Sequence, residues 1–80
     1  MKANNEKFFL EELGLQIKLE RTKEKLSQES LAYKSNLDRT YIGMIERGQK
    51  NPTILTILKI TNALNISLLD LFENIEKMEA

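Results

Sequence analysis

Eighty residues, with twelve basic and twelve acidic side chains, give a chain of zero formal net charge that is long enough for one domain. The absence of cysteine and histidine excludes disulfides, thiolate chemistry, finger-type zinc sites and histidine acid–base catalysis. No apolar run approaches the ~18 residues of a membrane helix, and Met1-Lys2-Ala3-Asn4-Asn5-Glu6 does not lead into a signal-type core, which predicts a cytoplasmic protein with no membrane partner. Sustained period-two alternation is absent, and three glycines and one proline are too few for many hairpins. The expectation is therefore an all-α chain, a compact five-helix bundle forming a single domain over residues 1–80. At this size only about 60–65% of the unfolded surface can be buried, so pairing with a second copy would help.

The first helix is expected from about Glu6 to Glu24, with Phe9, Leu10, Leu13, Ile17 and Arg21 on or near one face. Two short helices joined by a tight turn follow, over Leu26 to Gly48. Ser27 precedes the first of them as a hydroxyl cap, Leu31 and Ala32 form a narrow apolar strip, and Asn36 tolerates the left-handed backbone that a sharp turn needs. Leu37 buries the turn and Asp38 caps the next helix, in which Ile42 and Ile45 face inward. Thr40, Gly43, Met44 and Arg47, at i, i+3, i+4 and i+7, are left facing out, with Arg39 beside them. Gly43 costs a helix about 1 kcal/mol relative to alanine, so close approach of another surface is expected there. Gly48 closes the helix as a left-handed cap and Pro52 blocks its continuation.

This pattern, over about residues 27–47, is that of a helix-turn-helix, whose second helix enters the major groove of DNA. A fourth helix is expected from near Thr53, carrying Ile54, Ile57, Leu58, Ile60 and Leu64 inward, with Asn65 as its left-handed terminator. Ser67 caps a last helix containing Leu68, Leu69, Leu71, Phe72, Ile75 and Met78. These cover more than one narrow stripe, and such an apolar surplus predicts a partner surface at about residues 66–78, using Ile66, Leu69, Phe72 and Ile75.

Across roughly residues 13 to 72 the chain resembles the phage-repressor and Cro-type helix-turn-helix domains, the Xre family. The matching features are Ile17 and Arg21, the Leu26-Ser27-Gln28-Glu29-Ser30-Leu31-Ala32 run, Ile42 with Ile45-Glu46-Arg47-Gly48, and Ala63-Leu64-Asn65-Ile66-Ser67 to Leu71-Phe72. Within that family, the run from Leu31 to Ile42 is most similar to the controller proteins of bacterial restriction–modification systems. The resemblance implies a two-fold homodimer paired through the last helix, and an ion pair between Arg21 and Glu46 tying the first helix to the recognition helix. It also sets one departure in view: Glu20 stands just before that arginine, where related domains commonly have an apolar residue.

On these grounds Arg39, Thr40, Met44 and Gly43 are expected at base edges. Arg39 leads because its planar fork matches O6 and N7 of guanine. Gln28, Tyr41, Arg47, Lys50, Asn51 and Lys34 are expected at phosphates, where they would position the protein without specifying sequence. The zero net charge argues against a nucleic-acid partner, but residues 18–50 hold eight basic against five acidic side chains, a local balance of +3. The function expected is a sequence-specific transcriptional regulator acting as a homodimer on a palindromic operator in double-stranded DNA, without cofactor, metal, small-molecule ligand or catalytic activity. Two alternatives stand beside it: the antitoxin of a toxin–antitoxin pair, for which only about eight residues follow Phe72, and a helical protein-interaction module without DNA binding.

Overall fold

The computed structural model describes residues 5–79, with the side chain of Glu79 left aside. Its five helices are α1 (Glu6–Lys23), α2 (Gln28–Ser35), α3 (Arg39–Glu46), α4 (Ile54–Leu64) and α5 (Leu68–Glu79). There is no strand among the described residues. The fold is all-α.

Short-range chemistry sets the helix boundaries. Asn5, Ser27 and Thr53 each accept a hydrogen bond from the backbone amide three residues on, and Asp38 Oδ1 accepts from the Thr40 amide at 2.7 Å. Ser67 Oγ accepts from the Asp70 amide at 2.9 Å. The first four helices all end in the same way. Amides of Leu26, Leu37, Gln49 and Ile66 reach back five residues to carbonyls of Arg21, Ala32, Met44 and Thr61, at 2.8–3.0 Å. That closure needs a left-handed residue just past the helix. Asn36, Gly48 and Asn65 take it as their residue types predict, with φ of 58°, 73° and 58°. Lys25 takes it too, at φ 59°, with neither the missing Cβ of glycine nor the local hydrogen bonding of asparagine.

One core joins all five helices: Leu13 and Ile17 of α1, Leu31 and Ala32 of α2, Ile42 and Ile45 of α3, Ile57, Ile60 and Leu64 of α4, and Leu71 and Ile75 of α5. α1 lies against α3 and α5, α2 against α3 and α4, and α4 against α5. The Cα radius of gyration is 11.7 Å, against about 11.6 Å expected for a globular chain of this length, so the helices pack as one body.

Burial corrects three expectations. Ile54 and Leu58 do not point inward. Both are exposed, and Thr61 takes the inward place, fully buried and donating its hydroxyl to the Leu58 carbonyl at 3.1 Å. The inward stripe of α4 is thus Ile57, Ile60, Thr61 and Leu64. Ile54 stands one turn ahead of that stripe, beyond the reach of the core, and Leu58 is rotated off it. Ile75, expected on a partner surface, has no exposure and belongs to the protein's own core, because α5 turns that face onto α1.

Glu20 is accommodated without entering the core. Its carboxylate pairs with Lys23 Nζ at 3.1 Å, facing a shallow depression between α1 and α5 lined by Ile66, Asp70, Asn74 and Lys77. The neighbouring Leu19 is half exposed instead.

Candidate nucleic-acid interface

The outward face of α3 is built on an inward face that fixes it. Ile42 and Ile45 are fully buried, and the carboxyl-terminal end of α3 rests directly on α1. A Cβ placed at Gly14 would lie 2.3 Å from the Ile45 carbonyl oxygen and 2.6 Å from that of Glu46, so the two backbones touch where only glycine fits. Gly48, just past α3, lies close to Glu11 as well, though less tightly, with the Glu11 Cα 3.1 Å from where an added Cβ would stand.

Beside this contact the Arg21 guanidinium grips the Glu46 carboxylate in a two-pronged pair, with Nε donating to Oε2 at 2.7 Å and Nη2 to Oε1 at 3.0 Å. The glutamate side chain is only 2% exposed. The hydrogen bond to Glu46 raises the arginine pKa above its ordinary value, burial opposing and Coulombic attraction adding, so the guanidinium stays charged. The pair that the resemblance implied is present. Sequence reasoning missed two further partners: Nη1 of Arg21 donates to the Leu26 carbonyl at 2.9 Å, and Gln28 Nε2 donates to Glu46 Oε1 at 3.0 Å. One carboxylate thus joins α1, α2 and α3.

On the solvent side, Arg39, Thr40 and Arg47 are exposed and Met44 is half-buried, which is the expected polar stripe with one exception. Gly43 is buried beneath the side-chain ends of Gln28 and Arg47. The close approach foreseen at this glycine comes from within the chain, so Gly43 presents no open surface to a base edge. Tyr41 is half-buried and packs on the core, while Lys50 and Asn51 are exposed in the loop after α3. Arg47 Nε donates to Gln49 Oε1 at 3.1 Å, a partner the sequence did not suggest. Lys34 is exposed away from this stripe, in a depression between α2 and α4 shared with Asn36, Lys59 and Asn62.

Of the residues expected at a partner surface, Leu69 is 66% exposed, Ile66 is half-buried, and Phe72 is half-buried with its ring 6.4 Å from that of Phe9. Exposed apolar side chains stand on α5, at Leu69 and Met78, and on α4 as well. α4 turns Ile54, Leu55 and Leu58 to solvent, with Leu55 66% exposed. Gly14 was the other residue missed, and its signal was legible: a glycine in mid-helix carries the same propensity cost that singled out Gly43.

The helix-turn-helix family model matches residues 17–71 of the chain. The chain belongs to the helix-turn-helix family. Relatives within it include restriction–modification controller proteins and a phage immunity repressor. Control protein C.MunI of a Mycoplasma species is 47% identical over 60 residues, covering 75% of this chain and 81% of that protein. Control protein C.BamHI of Bacillus amyloliquefaciens is 40% identical over 71 residues, covering 89% and 85%. Among solved structures, the controller protein C.Esp1396I, as a tetramer in complex with its natural 35 base-pair operator, superposes with a TM-score of 0.81 at 44% identity, covering 88% of this chain and 92% of that one. Solved variants of C.Esp1396I replace an arginine, a threonine and a tyrosine at three successive positions. This helix-turn-helix chain carries those three residue types in that order once, as Arg39-Thr40-Tyr41 at the start of α3. Among the described residues, no single helix is long and apolar enough to cross a membrane, and no cluster of acidic side chains could hold a metal ion.

Proposed function

We propose that this chain is a sequence-specific transcriptional regulator that binds double-stranded DNA as a homodimer, the controller of a restriction–modification system acting in the cytoplasm. The observation that carries the reading is the solvent face of α3. Arg39, Thr40, Met44 and Arg47 stand on a helix whose other face is held by Ile42, Ile45, the Gly14 contact and the Arg21–Glu46 pair. No core requires those outward residues. Likeness to a controller protein solved on its operator supports DNA binding by this chain.

In this reading Arg39, in the first turn of α3, takes O6 and N7 of a guanine, and Thr40 and Met44 offer methyl groups to thymine. Gln28, Tyr41, Arg47, Lys50 and Asn51 meet the phosphates that flank the groove, with Lys34 further out along the duplex. The homodimer forms on the apolar residues that the fold leaves in water, Ile54, Leu55 and Leu58 of α4 with Leu69 of α5. The chemistry of binding requires no cofactor, metal or catalytic group.

A two-fold dimer with one recognition helix per subunit reads a palindrome whose half-site centres lie about one helical turn, ~34–36 Å, apart. Footprinting on the DNA upstream of the protein's own gene is expected to show protection with that dyad spacing, and sedimentation a dimer that Leu55→Asp converts to monomer. Folded, dimeric protein that protects no dyad at moderate salt would overturn the reading.

A further inference from the structure

Gly43 lies in the middle of α3, and two side chains from different helices meet over it. An added Cβ would stand 3.2 Å from Nη1 of Arg47, and 3.5 and 3.8 Å from Oε1 and Nε2 of Gln28. Both side chains are held there from their far sides. Arg47 Nε donates to Gln49 Oε1, and Gln28 Nε2 donates to the Glu46 carboxylate that Arg21 clamps.

The fold itself gains little from glycine at this position. Gly14 abuts backbone atoms that cannot give way, whereas the neighbours of Gly43 are the ends of long side chains, which can shift by a few tenths of an ångström. Alanine would also favour the helix. What the bare backbone does provide is room for a guanidinium and an amide to come together over one point of the helix proposed to face the duplex.

We infer that Gly43 is a positioning residue for DNA binding: its missing side chain seats the Arg47 guanidinium and the Gln28 amide together against α3, where the two groups take one backbone phosphate. The inference rests on the proposed function and goes beyond it in assigning Gly43 a role that involves no contact with DNA. A guanidinium offers paired N–H donors suited to phosphate oxygens. Gln28 Nε2 has a second hydrogen left after the one given to Glu46. Holding both donors in place before binding avoids the cost of ordering them at the moment of contact. A methyl at position 43 lifts the guanidinium by a few tenths of an ångström and parts the pair.

The test compares the wild type, Gly43→Ala, Arg47→Ala and the double variant on a duplex of the DNA immediately upstream of the protein's own coding sequence, over a range of salt concentrations. Gly43→Ala is expected to raise the melting temperature by a few degrees while weakening binding about tenfold. It should lower the slope of log affinity against log salt by about one phosphate's worth, as Arg47→Ala does. The double variant should lose that slope once and not twice. Wild-type binding with unchanged affinity and slope in Gly43→Ala overturns the inference, and so do losses in the two single variants that multiply in full. A wild type that binds no such duplex removes the functional reading beneath it.

Discussion

At its carboxyl-terminal end α3 lies backbone to backbone on α1, with Gly14 under Ile45 and Glu46 and the Arg21–Glu46 pair alongside. At its amino-terminal end the same eight-residue helix is capped by Asp38 and carries Arg39 and Thr40 into solvent. So short a helix has almost no stability of its own, so its orientation must come from tertiary contacts. Anchoring one end is enough to aim the other. Arg39 and Thr40, proposed to read DNA, therefore stand about a turn and a half from the Gly14 and Glu46 anchor, and substitutions at the two ends should separate stability from binding.

The largest effect is expected from the anchored end. Gly14→Ala drives a methyl into the carbonyls of Ile45 and Glu46, and neither backbone can move without opening the core. A loss of about 4–5 kcal/mol in denaturant unfolding is expected, at the severe end of single substitutions. A loss below about 1 kcal/mol would show that α3 is not clamped there. Arg21→Met comes next. It leaves the buried Glu46 carboxylate with only Gln28 as a side-chain partner, for a loss of about 3 kcal/mol, the lower bound for breaking a buried pair because Arg21 is partly open to water.

The exposed end should respond differently. Asp38→Ala removes the cap and should cost about 1 kcal/mol. Arg39→Ala should change stability by less than about 0.5 kcal/mol, yet cost about 1–3 kcal/mol of operator binding and relax preference at one base pair per half-site. Equal losses of stability from Arg39→Ala and Arg21→Met would erase the distinction between the two ends. The smallest effect is a gain. Lys25 pays the left-handed penalty at φ 59° with no side-chain compensation, and Lys25→Gly should raise stability by roughly 0.5–1 kcal/mol without changing DNA affinity.

The pair Arg21–Glu46 was readable only because the chain resembles a family; the residues alone left Arg21 in search of a partner, and its hold on the Leu26 carbonyl had no trace in the spacing. The polar stripe of α3 was readable from helical period, since Arg39, Thr40 and Arg47 emerge exposed. Gly43 shares that period and is nevertheless covered, because Gln28 comes from another helix.

What the sequence by itself determined is local. Ser27, Asp38, Thr53 and Ser67 cap the helices that follow them, and Asn36, Gly48 and Asn65 turn the chain at φ near 60–70°, because each of these acts on backbone groups within a few residues of itself. The tertiary structure alone decided which apolar side chains are covered. Ile75 and Leu69 look equally fit for a core, yet one is sealed and the other stands in water. Ile54 and Leu58 lie outside while Thr61 is fully buried, and a single glycine at position 14 decides how near α1 comes to α3. Burial depends on where a second helix crosses, and that crossing is set by the summed packing of residues far apart in the chain.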